Sequence, residues 1–406
     1  MMFGILSSLW LVVMGPAVRR TIGKMSRGSS LSAARQDLGV GTIQTIALDS
    51  YPTFGTLYET RLSDLHRAER SANPMEGGLL SKSQLDKLTY QPSQVLDLTL
   101  DDNLPTPKFL SSDGPDLKPP EFDLGALDRL PTELLQGLLP QLDLCSLMRF
   151  RRINRRAIEI VEFIPQYRTI ATCASNVLQG ALRTGAGKWI SCETVYEKLC
   201  AAECEQCGDF GEYLYILTCK RVCFLCLSKN EKYLPLLGSH AIRKFGINHQ
   251  ILRTLPCFTS IPGEYSKWEE KHRSPSELVD RESAYRAGVV LHGSPDAMEE
   301  YASNALAQEL QEFDQRASEA VAKGSRSFIS RRERPTNELP EGRSRSGMRF
   351  MAIVRIPWVK RIPQELEWGF CCIGCLFLSN GLLQYRRKFT ATMFMEHRRE
   401  CEHCPE

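Results

Sequence analysis

The chain has 406 residues, 42% hydrophobic and 24% charged, and its 51 lysines and arginines against 48 acidic residues leave a formal charge of +3. That length gives room for two or three units of roughly 100 to 200 residues and excludes a single small fold. The charge balance excludes a strongly basic binder, and the hydrophobic content excludes a wholly disordered chain.

Fifteen cysteines, an odd number gathered mostly in two tight clusters, point to a reducing compartment with thiols used for metal rather than to a secreted disulfide scaffold. Met1 to Val18 is an apolar run interrupted by Gly4, Ser7, Ser8, Gly15 and Pro16 and followed by Arg19 and Arg20. No positive charge precedes it, as a secretory signal requires, and it is marginal for the ~20 residues of a membrane span. Met25 reads as a native beginning, which leaves residues 1–24 as a doubtful apolar segment with a signal or anchor as the alternative. Residues 25–120 are rich in Ser, Pro, Asp and Gly, and their short apolar patches (Ile43 to Leu48, Val95 to Leu100) never extend into a periodic run. Most of this region is expected to be disordered.

Residues 121–170 change texture. Pro131 suits the first turn of a helix because its missing N–H is no loss there, and Glu133 favours the positive end of the dipole. Leu134, Leu135, Leu138, Leu139 and Leu142 then form an apolar stripe that Pro140 interrupts. Asp143 is a good N-cap for a second helix carrying Leu144, Leu147, Met148 and Phe150, and Asn154 for a third running through Ile158, Val161 and Phe163. Three short helices are predicted.

Residues 171–261 form the first cysteine-rich module. Cys204-x2-Cys207, fifteen residues, then Cys223-x2-Cys226 has the spacing of a four-thiolate zinc site, in which two turns each supply two sulfurs at ~2.3 Å from the metal. Gly208 follows the first pair, where a positive φ is useful, and Glu212 to Thr218 alternates β-forming residues suited to a hairpin. Leu227 to Leu237 is expected to start a short helix. Knuckle, hairpin, second pair and helix resemble a treble-clef zinc module. Cys200 and Cys219 are spare thiols that compete for ligand positions.

Residues 262–323 comprise a polar linker with Pro262, Pro275, Gly293 and Pro295, then a long amphipathic helix from Asp296 to Lys323 of net charge −5. Arg326 to Arg361 carries net +7; residues 324–349 read as a flexible basic linker, with an acidic-to-basic clasp and a nucleic-acid contact as alternatives. The C-terminal module, residues 350–406, contains Cys371, Cys372-x2-Cys375, twenty-one residues, then His397-x3-Cys401 with His403 and Cys404. His397 and Cys401 are four apart and share a helix face, so Cys372, Cys375, His397 and Cys401 are the expected ligands of a second zinc, with Cys371, His403 and Cys404 as competitors.

No catalytic constellation is found. Gly180 to Lys188 fails the phosphate-loop spacing, with Leu182 at the first glycine position and Trp189 after the lysine; neither HExxH nor GxSxG occurs. Both zinc sites would be closed, with four protein ligands, and therefore structural.

The helical segment resembles the F-box, on Leu130, Pro131, Glu133, Leu134, Leu138, Leu142, Leu147, Phe150, Ile153 and Asn154-Arg155, about 40 of the 406 residues. The C-terminal pattern of CxxC, basic-aromatic stretch, histidine and cysteine is similar to that of fungal F-box proteins with cysteine-rich downstream modules. Where the family often carries tryptophan in its third helix, this chain offers Phe163 and Tyr167. The resemblance implies docking on the Skp-type adaptor of a cullin ubiquitin ligase through Leu130, Pro131, Leu134, Leu138 and Leu147, with the rest of the chain selecting a protein substrate.

The expected fold is thus mainly α with small α+β zinc-stapled modules, a short three-helix F-box-like bundle and a disordered N-terminal region. The expected function is a non-catalytic ligase adaptor in cytoplasm or nucleus, with neither nucleic acid nor membrane as a partner. A zinc-stapled nucleic-acid-binding or transcription-associated protein is the alternative, prompted by the arginine-rich stretch.

Overall fold

The computed structural model describes residues 82–90, 97–105, 123–267, 271–322, 347–361, 365–376 and 383–401. The apolar start, most of residues 25–120, most of the basic linker, and His403 and Cys404 lie outside them. All described residues belong to one compact unit. The fold is mainly helical with small antiparallel sheets, and two clusters of cysteine and histidine can hold metal ions.

Two stretches of the polar N-terminal arm are built into the fold, contrary to the texture of their sequence. The first is helix α1 (Lys82–Leu88) with strand β1 (Thr89–Tyr90). The second is a 3-10 turn at Leu100–Asn103, held by a capping box between Thr99 and Asp102. Leu100 is fully buried, so close over Gly180 that a Cβ there would fall 3.2 Å from Leu100 Cδ2, and Asn103 exchanges two hydrogen bonds with the Glu264 backbone.

Helices α2 (Thr132–Leu138), α3 (Leu144–Arg151) and α4 (Arg155–Phe163) form as their capping residues dictate. Asp143 accepts the Ser146 N–H at 2.9 Å and Asn154 accepts the Ala157 N–H at 2.8 Å, each satisfying a donor that the first helical turn leaves unpaired. Pro140 ends α2 in a 3-10 turn. The array continues through α5 (Pro165–Cys173), α6 (Ser175–Thr184) and α7 (Cys192–Cys200). Leu144, Leu147, Phe150, Ala157, Ile160 and Val161 share one core with Val177, Ala181, Val195 and Leu199. The chain itself therefore completes the buried side of the three short helices. Hydrogen bonds Leu144 N to Ile190 O (3.0 Å) and Cys192 N to Leu142 O (3.2 Å) fasten them to α7.

Four residues beyond α7 comes Cys204, and the hairpin of β2 (Tyr213–Tyr215) and β3 (Lys220–Val222) follows, then α8 (Phe224–Lys229). Next come β4 (Leu236–Leu237), α9 (Gly238–Phe245), α10 (His249–Leu252), β5 (Cys257–Thr259), β6 (Glu277–Val279), α11 (Arg281–His292) and α12 (Pro295–Ala322). Sheet β4-β6-β5 and helices α9, α11 and α12 enclose a second core of Leu236, Phe245, Leu252, Val279, Ala284 and Met298. The region read as linker thus holds a strand and a twelve-residue helix capped by Asp280, whose side chain accepts the Ser283 N–H at 2.8 Å. The long acidic helix is present, docked through Met298 and Ala302.

The C-terminal part comprises α13 (Gly347–Met351), β7 (Ile353–Arg355), hairpin β8 (Trp358–Lys360) and β9 (Glu365–Glu367), β10 (Phe370–Cys372), α14 (Ile373–Leu376), β11 (Lys388–Phe389) and α15 (Ala391–Glu400). Strand β7 pairs with β2 (Leu214 opposite Val354), and β10 lies between β1 and β11. The segments read as separate modules therefore share one core, which runs from Leu100 to Val359. The later part of the basic stretch is structural: Arg355 pairs with Asp101 at 2.9 Å and Lys360 with Glu367 at 2.8 Å.

Candidate metal centres and docking face

The first centre begins as a knuckle. After Cys204 the chain turns so that Gly208 N donates to Cys204 O at 2.9 Å, with Cys204 N donating to Asp209 O at 2.6 Å. Gly208 takes φ +82°, a conformation that a side chain would disfavour. The second pair follows β3: Cys223 is the N-cap of α8 and its sulfur accepts the Cys226 N–H at 3.4 Å. The four sulfurs of Cys204, Cys207, Cys223 and Cys226 all lie within 4.8 Å of one another.

Their spacing tests the fit. Four ligands at ~2.3 Å from a tetrahedral ion are separated by ~3.8 Å, whereas a disulfide needs ~2.05 Å. Cys207 and Cys223 Sγ are 3.6 Å apart, a separation that fits the edge of such a tetrahedron and is too long for a disulfide bond. A hydrogen bond from Cys223, outweighing burial, pulls the Cys204 thiol down to about 5, while partial desolvation among the neighbouring sulfurs pushes Cys207 up to about 12 although its side chain reaches the surface.

Two arginines that sequence reasoning passed over support this centre. Arg221 is fully buried and donates to the carbonyls of Lys198 (2.9 Å) and Pro357 (3.0 Å), tying β3 to α7 and to the β7–β8 link. Arg349, assigned from sequence to a flexible linker, is buried and donates to Leu227 O and Asn230 O, both at 2.7 Å. It satisfies the carbonyls at the end of α8 that the helix cannot pair itself. No periodicity announces such a contact across 122 and 119 residues.

The second centre draws on three elements. Cys372 ends β10, Cys375 sits in α14, His397 lies in α15 and Cys401 caps that helix, its N–H donating to His397 O at 2.9 Å. Cys375 Sγ is 3.3 Å from His397 Nε2 and 3.9 Å from Cys401 Sγ, close to the ~3.6 and ~3.8 Å edges expected of a thiolate–imidazole tetrahedron. Cys375, donating a hydrogen bond, pulls Cys372 down to about 3 against burial. Phe389 stacks on the His397 ring at 4.4 Å, fixing its orientation.

Both expected ligand sets are therefore brought together. The described competitors are not: Cys200, Cys219 and Cys371 fall in neither cluster. Cys371 faces away from Cys372, as alternation along β10 requires, and burial raises its thiol to about 12. Among the described residues all 14 cysteines are free of disulfide bonds.

The five residues expected to face an adaptor divide. Pro131 is exposed, Leu134 is 53% exposed, and Leu130 and Leu138 are half-buried. Leu147 is fully buried in the chain's own core, so it presents nothing to a partner; its side of α3 packs inward with Leu144 and Phe150. Two further large apolar residues of the Leu130 to Phe163 segment are exposed: Ile153, at 47%, and Phe163, at 63%. Ile153 precedes the cap Asn154, whose amide donates to Asp123 O at 3.1 Å, and Arg156 pairs with Asp128 at 3.2 Å, so the start of α4 lies beside the segment leading to Leu130.

No family model matches this chain, and comparison with curated proteins and with solved structures returns no significant match. Among the described residues no helix is long and apolar enough to cross a membrane.

Proposed function

We propose that this chain is an F-box-type substrate-recognition adaptor of a Skp/cullin ubiquitin ligase, non-catalytic and carrying two structural zinc ions. The observation that carries the reading is the two-sidedness of the Leu130 to Phe163 segment. Its inner side is packed into the core, whereas Pro131, Leu134, Ile153 and Phe163 stay outside. A rigidly mounted segment with apolar side chains left in water suits a partner that covers them.

Zinc is the ion favoured by the donor sets, four thiolates in one centre and three thiolates with an imidazole in the other, since soft sulfur and tetrahedral geometry select it. With four protein ligands each, the centres hold no position for a reacting water and serve to fix the fold. Free thiols suit the reducing cytoplasm or nucleus, where such ligases work. The nucleic-acid alternative loses ground because Arg349, Arg355 and Lys360 from the basic stretch are used internally.

The test is co-purification of the full chain with a Skp-type adaptor. The reading requires a stoichiometric complex that is lost on Leu130→Asp with Leu134→Asp. A folded chain that never retains the adaptor refutes it.

A further inference from the structure

The loop that the second centre closes, between Cys375 and His397, contains three consecutive cations, Arg386, Arg387 and Lys388. Each is directed at the scaffold of the first centre. Arg387 pairs with Asp209 at 2.6 Å, two residues beyond Cys207. The carbonyl of that same aspartate receives the Cys204 N–H, so the ion pair bears on the first knuckle. Lys388 pairs with the buried Glu212 at 2.6 Å, immediately before β2. Arg386 pairs with Asp97, which also accepts the Tyr213 hydroxyl. Its guanidinium lies 3.6 Å from the centroid of the Phe224 ring, the residue directly after Cys223. Both knuckles of the first centre are thus gripped.

The same segment serves the second centre from its other end. Lys388 lies opposite Cys371, the neighbour of Cys372, and Phe389 stacks on His397. An exposed ion pair is worth little, but Arg386, Asp97, Lys388 and Glu212 are mostly buried, where loss of one partner strands the other charge. Movement of this strand cannot leave the first centre undisturbed.

We infer that Arg386, Arg387 and Lys388 are positioning residues that couple the two metal centres, so that metal at either one strengthens binding at the other. The inference rests on the zinc reading given above. Without metal in the second centre, His397 and Cys401 are held near Cys372 and Cys375 only by the packing of Phe394 on Phe370 and Phe389 and by the Phe389–His397 stack, and β11 is anchored less firmly at that end. The clamp on Asp209, Glu212 and Phe224 then loosens, and the knuckles of the first centre lose their fixed spacing. Linkage makes the effect reciprocal, and coupling of this kind is typically roughly 5- to 150-fold in affinity.

The experiment uses the full chain loaded with zinc and titrated with a chromophoric chelator. Wild type is expected to release both ions in one concerted phase. His397→Ala with Cys401→Ser, which disables the second centre, is expected to leave a single ion bound roughly tenfold more weakly. Arg387→Gln, at a partly exposed pair, is expected to retain two ions but release them in separate phases, and Arg387→Lys to restore the single phase. Asp209→Asn provides a second route to the same uncoupling should either arginine variant misfold. Two ions released independently by wild type, or a remaining ion held within twofold of wild-type affinity, overturn the coupling alone. A chain that binds no zinc overturns both the coupling and the zinc reading.

Discussion

Leu134 and Leu147 lie thirteen residues apart in one leucine-rich segment, yet the structure gives them opposite environments. Leu134 is 53% exposed and Leu147 is fully buried. Complete burial of a leucine side chain is worth ~2–3 kcal/mol, so a partner that covers the exposed half of Leu134 gains about 1–1.5 kcal/mol. Leu134→Ala should therefore weaken adaptor binding about five- to tenfold while stability changes by less than about 0.5 kcal/mol. Leu147→Ala removes buried atoms and leaves a cavity, at a cost of about 2–5 kcal/mol in stability. Where the chain remains folded, its binding should be nearly unchanged. The assays are calorimetric titration with purified Skp-type adaptor and urea unfolding of each variant. Wild-type affinity in Leu134→Ala, or an unfolding free energy within 0.5 kcal/mol of wild type in Leu147→Ala, refutes the assignment of these two faces.

Zinc uptake by the first centre should release about three protons at pH 7, because Cys204 alone is held as thiolate, at about 5, while Cys207, Cys223 and Cys226 are all pushed upward. Calorimetry in two buffers of different ionisation enthalpy counts them. The sign follows: the Cys204 thiolate stabilises the metal-free fold above the ordinary thiol range, and that contribution is lost as pH falls through about 5. Arg349→Met should cost about 2–3 kcal/mol, since the Leu227 and Asn230 carbonyls lose a charged donor in a buried site, and chemical unfolding measures it.

What could be read from the sequence was whatever is decided locally. Asp143 and Asn154 cap helices through contacts three residues away, so their chemistry is visible in a short window. The two ligand sets were visible because tight turns impose fixed cysteine spacings. Helix α11 was missed because it packs through Ala284 and Gly288 rather than large apolar residues; a Cβ at Gly288 would fall 2.6 Å from Met298 Sδ. Hydrophobic periodicity cannot register a face made of small side chains. The burial of Leu100 and the pairing of Asp101 with Arg355, 254 residues away, depend on long-range assembly that composition does not encode.

Native mass spectrometry of the full chain, purified without chelator, tests most directly whether two metal centres hold this fold together. The expected mass is that of the polypeptide plus two zinc ions, with Cys204→Ser and Cys375→Ser each lowering the zinc content and the melting temperature. A metal-free mass, accompanied by a melting transition that chelator does not shift, would contradict the account.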